Sequence, residues 1–205
     1  MSALSQTTTQ AANQPLYNAR GLMDANIPPE AQIQASLMAA PGQGLAHWME
    51  SRVARFSTRR YDWDALKFQA DYDPTYRRAQ MRYMGTGGTG IASDSNTVPA
   101  AHFTFSTMII PAGHVGPSHI HYDVEEVFFV MRGTMKIVCE KDGQRWESVL
   151  RERDLISVPP GVYREESNIS EEDALMCVML GSPTPITPTY PPDSPLAKIK
   201  REMMA

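Results

Sequence analysis

Between residues 102 and 180 the chain runs as short apolar stretches cut by single turn-forming residues. The stretches are His102–Ile110, Val124–Met131, Thr134–Glu140, Leu155–Val158, Val162–Glu166 and Ala174–Leu180, rich in β-branched, aromatic and Met residues, with Gly133 and Asp142-Gly143 as punctuation. This spacing predicts an all-β sandwich or barrel over about 80–190. Upstream, Leu45, Trp48, Met49, Val53 and Phe56 recur at helical intervals, which predicts one helix before Arg59-Arg60, within a helical extension over 44–79. Residues 1–43, rich in Gln, Ala, Asn, Thr and Pro, show no sustained period and read as a flexible N-terminal arm. Residues 191–205 place Leu196-Ala-Lys-Ile-Lys-Arg after several prolines and read as a C-terminal strap or short helix.

Composition narrows the function classes. The 205 residues are 42% hydrophobic and 20% charged, a globular balance, and no run approaches the ~18 apolar residues of a membrane span. Lys and Arg number 19 against 23 Asp and Glu, with no basic block to track a phosphate backbone, so neither nucleic acid nor membrane is an expected partner. The first twenty residues lack the basic flank and apolar core of a secretory signal, which makes the cytoplasm the expected compartment. Cys139 and Cys177 each lie in an apolar run and read as buried reduced thiols. Gly85 to Gly90 fits G-x-G-x-x-G, but the Ser/Asp/Asn-rich stretch that follows, closed by Pro99, offers no helix start, so it reads as a loop.

The residues with metal chemistry are His119, His121 and Glu126. Side chains at i and i+2 of an extended segment project to one side, roughly 6.5 to 7 Å apart, so two imidazoles can converge on one cation at about 2.0 to 2.1 Å each. Glu126 follows after the polar Tyr122-Asp123, where a turn would carry it to the neighbouring strand. Two His and one carboxylate make the donor set of open mononuclear sites, including the facial triad of non-haem iron enzymes. His102 and His114 are nearby; His102 reads as a strand-end residue with ligation as its other option, and His114 as a loop residue.

The wider spacing is more specific than the histidine pair. Gly113, five residues, His119-x-His121, four residues, Glu126, six residues and Gly133 resemble the first motif of the cupin superfamily, and Arg153 to Asn168 resemble the second, with Pro159, Gly161 and Asn168 in place. The resemblance covers about half the chain. It implies a double-stranded β-helix, a jelly-roll β-barrel with an N-terminal arm containing a helix, with an interior metal site and a homodimer. Arg153 stands where the family has glycine, and Arg164 where it supplies its last histidine ligand.

Arg164 conflicts with a cation if it keeps the family's inward direction, because a guanidinium about 4 Å from a divalent ion is repelled by about 8 kcal/mol at effective ε near 20. Three arrangements relieve this. Arg164 holds the carboxylate of a metal-bound substrate; or it pairs with Glu126 or Glu166 in a site without metal; or His119, His121 and Glu126 hold the ion alone, with Arg164 as anion holder, the arrangement favoured here. Glu166 shares the strand face of Arg164 and is expected inside, as replacement ligand or base. Phe128, Met135 and Cys139 are the expected substrate-pocket wall, while Val127 and Phe129 face the other way, toward a second sheet or subunit. The expected function is a metal-binding cupin, an Fe(II) dioxygenase acting on a small carboxylate, with Mn, Ni or Zn as other candidate ions. The alternatives are a non-oxidative lyase, decarboxylase or isomerase, and a non-catalytic small-molecule-binding cupin.

Overall fold

The computed structural model describes residues 42–85 and 97–203. Among these, nine strands form two sheets: β1 (Ala79–Met84), β2 (Thr104–Ile110), β3 (Val115–His119), β4 (Glu126–Arg132), β5 (Met135–Lys141), β6 (Gln144–Leu150), β7 (Leu155–Val158), β8 (Tyr163–Asn168) and β9 (Ala174–Leu180). One sheet has the order β1-β2-β9-β4-β7 and the other β3-β8-β5-β6, with every named pairing antiparallel. This is the double-stranded β-helix architecture. Inward positions alternate as a period of two requires, so Met108, Ile110, Phe128, Val130, Met135, Ile137, Met176 and Val178 meet in one core. Full burial of each such side chain stabilises by about 1.5–3 kcal/mol, and this cluster holds the two sheets face to face.

Turn chemistry sets the registers. Asp142 and Gly143 both have positive φ, 52° and 74°, between the paired Lys141 and Gln144, the two-residue hairpin that an Asp-Gly sequence favours. Arg153 has φ 72°, so the arginine keeps a left-handed turn that glycine would adopt without strain.

The segment before the barrel departs from the single long helix expected there. A six-residue helix, α1 (Leu45–Glu50), has no buried residue; a 3-10 turn follows at Phe56–Thr58, and α2 (Lys67–Tyr72) comes only after an irregular stretch. Leu45 is 70% exposed and Phe56 66%, so the apolar stripe finds no surface that would make a longer helix worth its conformational entropy. At the other end, α3 (Pro195–Met203) buries Leu196 and Ala197 beside Tyr190, with Phe68, Tyr76 and Ile199 around them. The segment before β1 and the C-terminal helix therefore pack against one another. Arm residues 1–41 and most of the glycine-rich segment, Thr86 to Gly90, lie outside the described residues. Cys139 and Cys177 are free thiols, half-buried rather than fully enclosed. No described helix is long and apolar enough to cross a membrane.

Candidate metal centre

His119 closes β3, His121 follows it after a bridge that pairs Ile120 with Thr189, and Glu126 opens β4. Sequence spacing places Glu126 on the strand next to the histidines, but β4 belongs to the opposite sheet, so the carboxylate reaches the imidazoles across the barrel interior. Buried Val124 anchors the intervening loop. All three side chains are buried, and one donor atom from each lies within 4.8 Å of the others. His119 Nε2 is 3.2 Å and His121 Nε2 3.8 Å from Glu126 Oε2. Ligands at 2.0–2.2 Å from one ion stand about 3 Å apart in octahedral and about 3.4 Å in tetrahedral geometry, so these side chains fit a divalent ion with small adjustment.

Protonation supports that fit. The Pro117 carbonyl can only accept, so His119 Nδ1, 3.0 Å away, donates to it and turns Nε2 toward Glu126. Burial alone would lower the His119 pKa, but the Glu126 carboxylate more than offsets this and holds it above the ordinary imidazole value. Nε2 then also carries a proton, in the place where a metal ion would sit. His121 is pushed down to about 4 by burial and is a neutral donor at pH 7, with its buried Nδ1 unpartnered. Burial raises Glu126, yet its hydrogen bond with His119 and the positive charges around it bring it to about 2, so it is ionised.

Arg164 has no exposed side-chain surface. Its NH1 donates to Glu126 Oε2 at 3.2 Å and its NH2 to the Pro159 carbonyl at 3.0 Å. The guanidinium therefore grips the carboxylate oxygen that faces both imidazoles. Glu166, on the same strand face, is buried with Oε2 unpartnered; burial raises its pKa, with Arg78 opposing. A Cβ on Gly116 would stand 1.7 Å from Glu166 Oε1, so the missing side chain there lets the glutamate lie flat across β3.

A cavity of about 50 Å³ joins His119, His121, Glu126 and Glu166 to Phe128, Met108, Val178 and Leu180. Phe128 lines it; Met135 is wholly buried in the core and Cys139 half-buried, and neither belongs to this wall. His102 is exposed ahead of β2, and His114 Nδ1 meets the Arg77 carbonyl, so neither joins the cluster. Sequence reasoning missed Leu66, Gln69, Arg78, Gln80 and Pro188, which complete the lining. The signal for part of this was present: Arg78, Gln80 and Arg82 alternate with Ala79, Met81 and Tyr83, a strand pattern whose inward members are polar.

A family model described as a cupin domain matches residues 106–180. Residues 106–180 are a cupin domain. The cupin barrel is similar to the crystal structure of peruvianin-I, named as a cysteine peptidase from Thevetia peruviana latex, at 13% identity and TM-score 0.52, over 72% of this chain and 80% of that one. It is also similar to an oxalate oxidase at 16% identity and TM-score 0.47, over 62% of this chain and 66% of that one. KdgF from Halomonas sp. is similar at 12% identity and TM-score 0.42, over 62% of this chain and 90% of that one. The chain thus spans about two thirds of the length of the oxalate oxidase it matches. Identities this low bear on the fold alone. No curated protein sequence matches the chain.

Proposed function

We propose that the chain is a metal-dependent cupin enzyme acting on a small anionic metabolite, a carboxylate, with Fe(II) as the ion and O₂ as co-substrate. The observation that carries this reading is the convergence of His119, His121 and Glu126 on a cavity: two imidazoles and one carboxylate bind an ion and leave further positions open. When bound, the ion would supply Lewis-acid and one-electron chemistry. The chain's own groups do the rest. His119 must release its Nε2 proton to become a ligand, while His121 and Glu126 already have the required charge states. Arg164 adds to the positive surroundings that keep Glu126 ionised, after His119, and fixes its oxygen. Glu166 is the titratable carboxyl in the cavity wall and holds or accepts a proton at Oε2. Phe128, Met108, Val178 and Leu180 form the apolar side of the cavity. The working unit in this reading is a homodimer.

The ion pair between Arg164 and Glu126 favours a second reading, a non-catalytic small-molecule-binding cupin in which the guanidinium takes the charge balance a metal would otherwise provide. Elemental analysis of protein purified without added metal separates the two. About one divalent metal per chain is expected in the native protein, with most of it lost in His121→Ala and in Glu126→Ala. Equal metal in all three would overturn the metal site. Oxygen uptake by the Fe(II)-loaded protein, compared with the Zn(II)-loaded form, then tests the oxidative chemistry.

A further inference from the structure

The cavity has a second polar end, built from the segment that leads into β1. Arg78 is 4% exposed. Its NH1 donates to the Val115 carbonyl and its NH2 to Gln69 Oε1, both at 2.9 Å, and Gln69 Nε2 in turn donates to the Tyr190 hydroxyl at 2.5 Å. The guanidinium is thus clamped from two sides. Its remaining nitrogen, Nε, is buried without a hydrogen-bond partner, 3.9 Å from Glu166 Oε1, and Glu166 Oε2 is likewise unpartnered. Arg78 and Glu166 both line the cavity that His119, His121 and Glu126 enter. A buried donor left over in this way costs free energy comparable to a lost hydrogen bond, unless something in the cavity meets it.

Charge and size say what that is. Arg164 balances Glu126 and Arg78 balances Glu166, so the four buried side chains cancel one another. A divalent ion held by the triad would leave the chamber two charges positive, and protonation of Glu166 would only add to the excess. Buried uncompensated charge is expensive, so the occupant that completes the chamber is an anion. The volume of about 50 Å³ has room for several waters at ~10–15 Å³ each, and so for the carboxylate group of a small ligand.

We propose that Arg78, through Nε–H, holds a carboxylate oxygen of a small carboxylate anion in the cavity. This rests on the metal-binding reading above and adds the residue that recognises the carboxylate. It also moves the anion-holding role from Arg164, whose fork is committed to Glu126 and Pro159 and which is not in the cavity wall, to a residue outside the cupin motifs.

The test uses full-length protein loaded with Co(II), whose visible absorption reports on ligands near the ion, with formate as the anionic probe and formamide as its neutral counterpart. Co(II) titration of the wild type comes first. Failure to bind Co(II) overturns the metal reading and this proposal together. With Co(II) bound, formate is expected to perturb the spectrum at least tenfold more tightly than formamide. Arg78→Lys is expected to weaken formate about 10- to 100-fold, the worth of a charged hydrogen bond, while Co(II) affinity stays within about threefold. Gln69→Leu frees one side of the Arg78 clamp and should weaken formate several-fold, which keeps the test open if Arg78→Lys does not fold. Equal binding of formate and formamide, or unchanged formate affinity in the Arg78 or Gln69 variant, overturns the proposal and leaves the metal site standing.

Discussion

Glu166 carries an unpartnered buried oxygen in the cavity wall, and burial outweighs the attraction of Arg78 in setting its pKa, which lies above the ordinary carboxylate value. A carboxyl whose folded pKa is raised binds its proton more tightly in the native state than in the unfolded one. Its contribution to stability is therefore fully present below the unfolded value of 4.5 and is lost as pH rises through the folded pKa. Glu166→Gln has no such loss. Urea denaturation of the metal-free protein should show the wild type weakening relative to Glu166→Gln as pH rises from 4.5 through neutrality, with the two closest at the acid end. A constant difference across that range would mean that the carboxyl titrates normally and that Arg78 fully compensates its burial.

At the scale of elements, Gly116 on β3 leaves room for the carboxyl of its β8 partner Glu166, because any Cβ there would collide with it. Gly116→Ala should cost about 1–3 kcal/mol, the range for overpacking a filled interior. In a Glu166→Ala background the same change should cost much less, since the colliding atoms are gone; denaturant titration of the four proteins gives the coupling, and additive costs would refute the contact. This pairing also explains what the sequence makes legible. His119, His121 and Glu126 are readable because metal-ligand spacing is a short-range property of one hairpin-sized segment. Six strands are readable as runs of β-branched, aromatic and Met residues bounded by turn residues, although β8 turns Arg164 and Glu166 inward. By contrast, β1 escapes because its alternation sets Arg78, Gln80 and Arg82 against Ala79, Met81 and Tyr83, so its buried polar members look like a solvated face. The strand β6 escapes because its exposed positions, Gln144, Arg145 and Glu147 among them, lack the apolar signature of a strand. Nor does local spacing place β3 and β4 in different sheets, because that depends on pairings with β8 and β9 more than forty residues away.

Across the whole molecule the two sheets differ in what they turn outward. The outer strand β6 of the four-stranded sheet is mostly exposed and polar. On the five-stranded sheet, the outward positions Phe105, Val127, Phe129, Cys177 and Met179 are half-buried and adjacent in register, with Leu155 56% exposed opposite Phe129. Inward neighbours of these residues already fill the core, so β4 is apolar on both faces, as strands covered on both sides are. A second copy covers such a patch with itself through a two-fold axis, and a stable contact of this kind buries about 800 Å² per partner. Light scattering at micromolar concentration should therefore return about twice the 22.8 kDa chain mass. Phe129→Glu should return the single-chain mass with metal content unchanged, because Phe129 points away from the cavity that holds His119, His121 and Glu126. A wild type that elutes at the single-chain mass would mean that this face stays open to solvent. A Phe129→Glu protein that stays at the doubled mass would place the contact elsewhere on the chain.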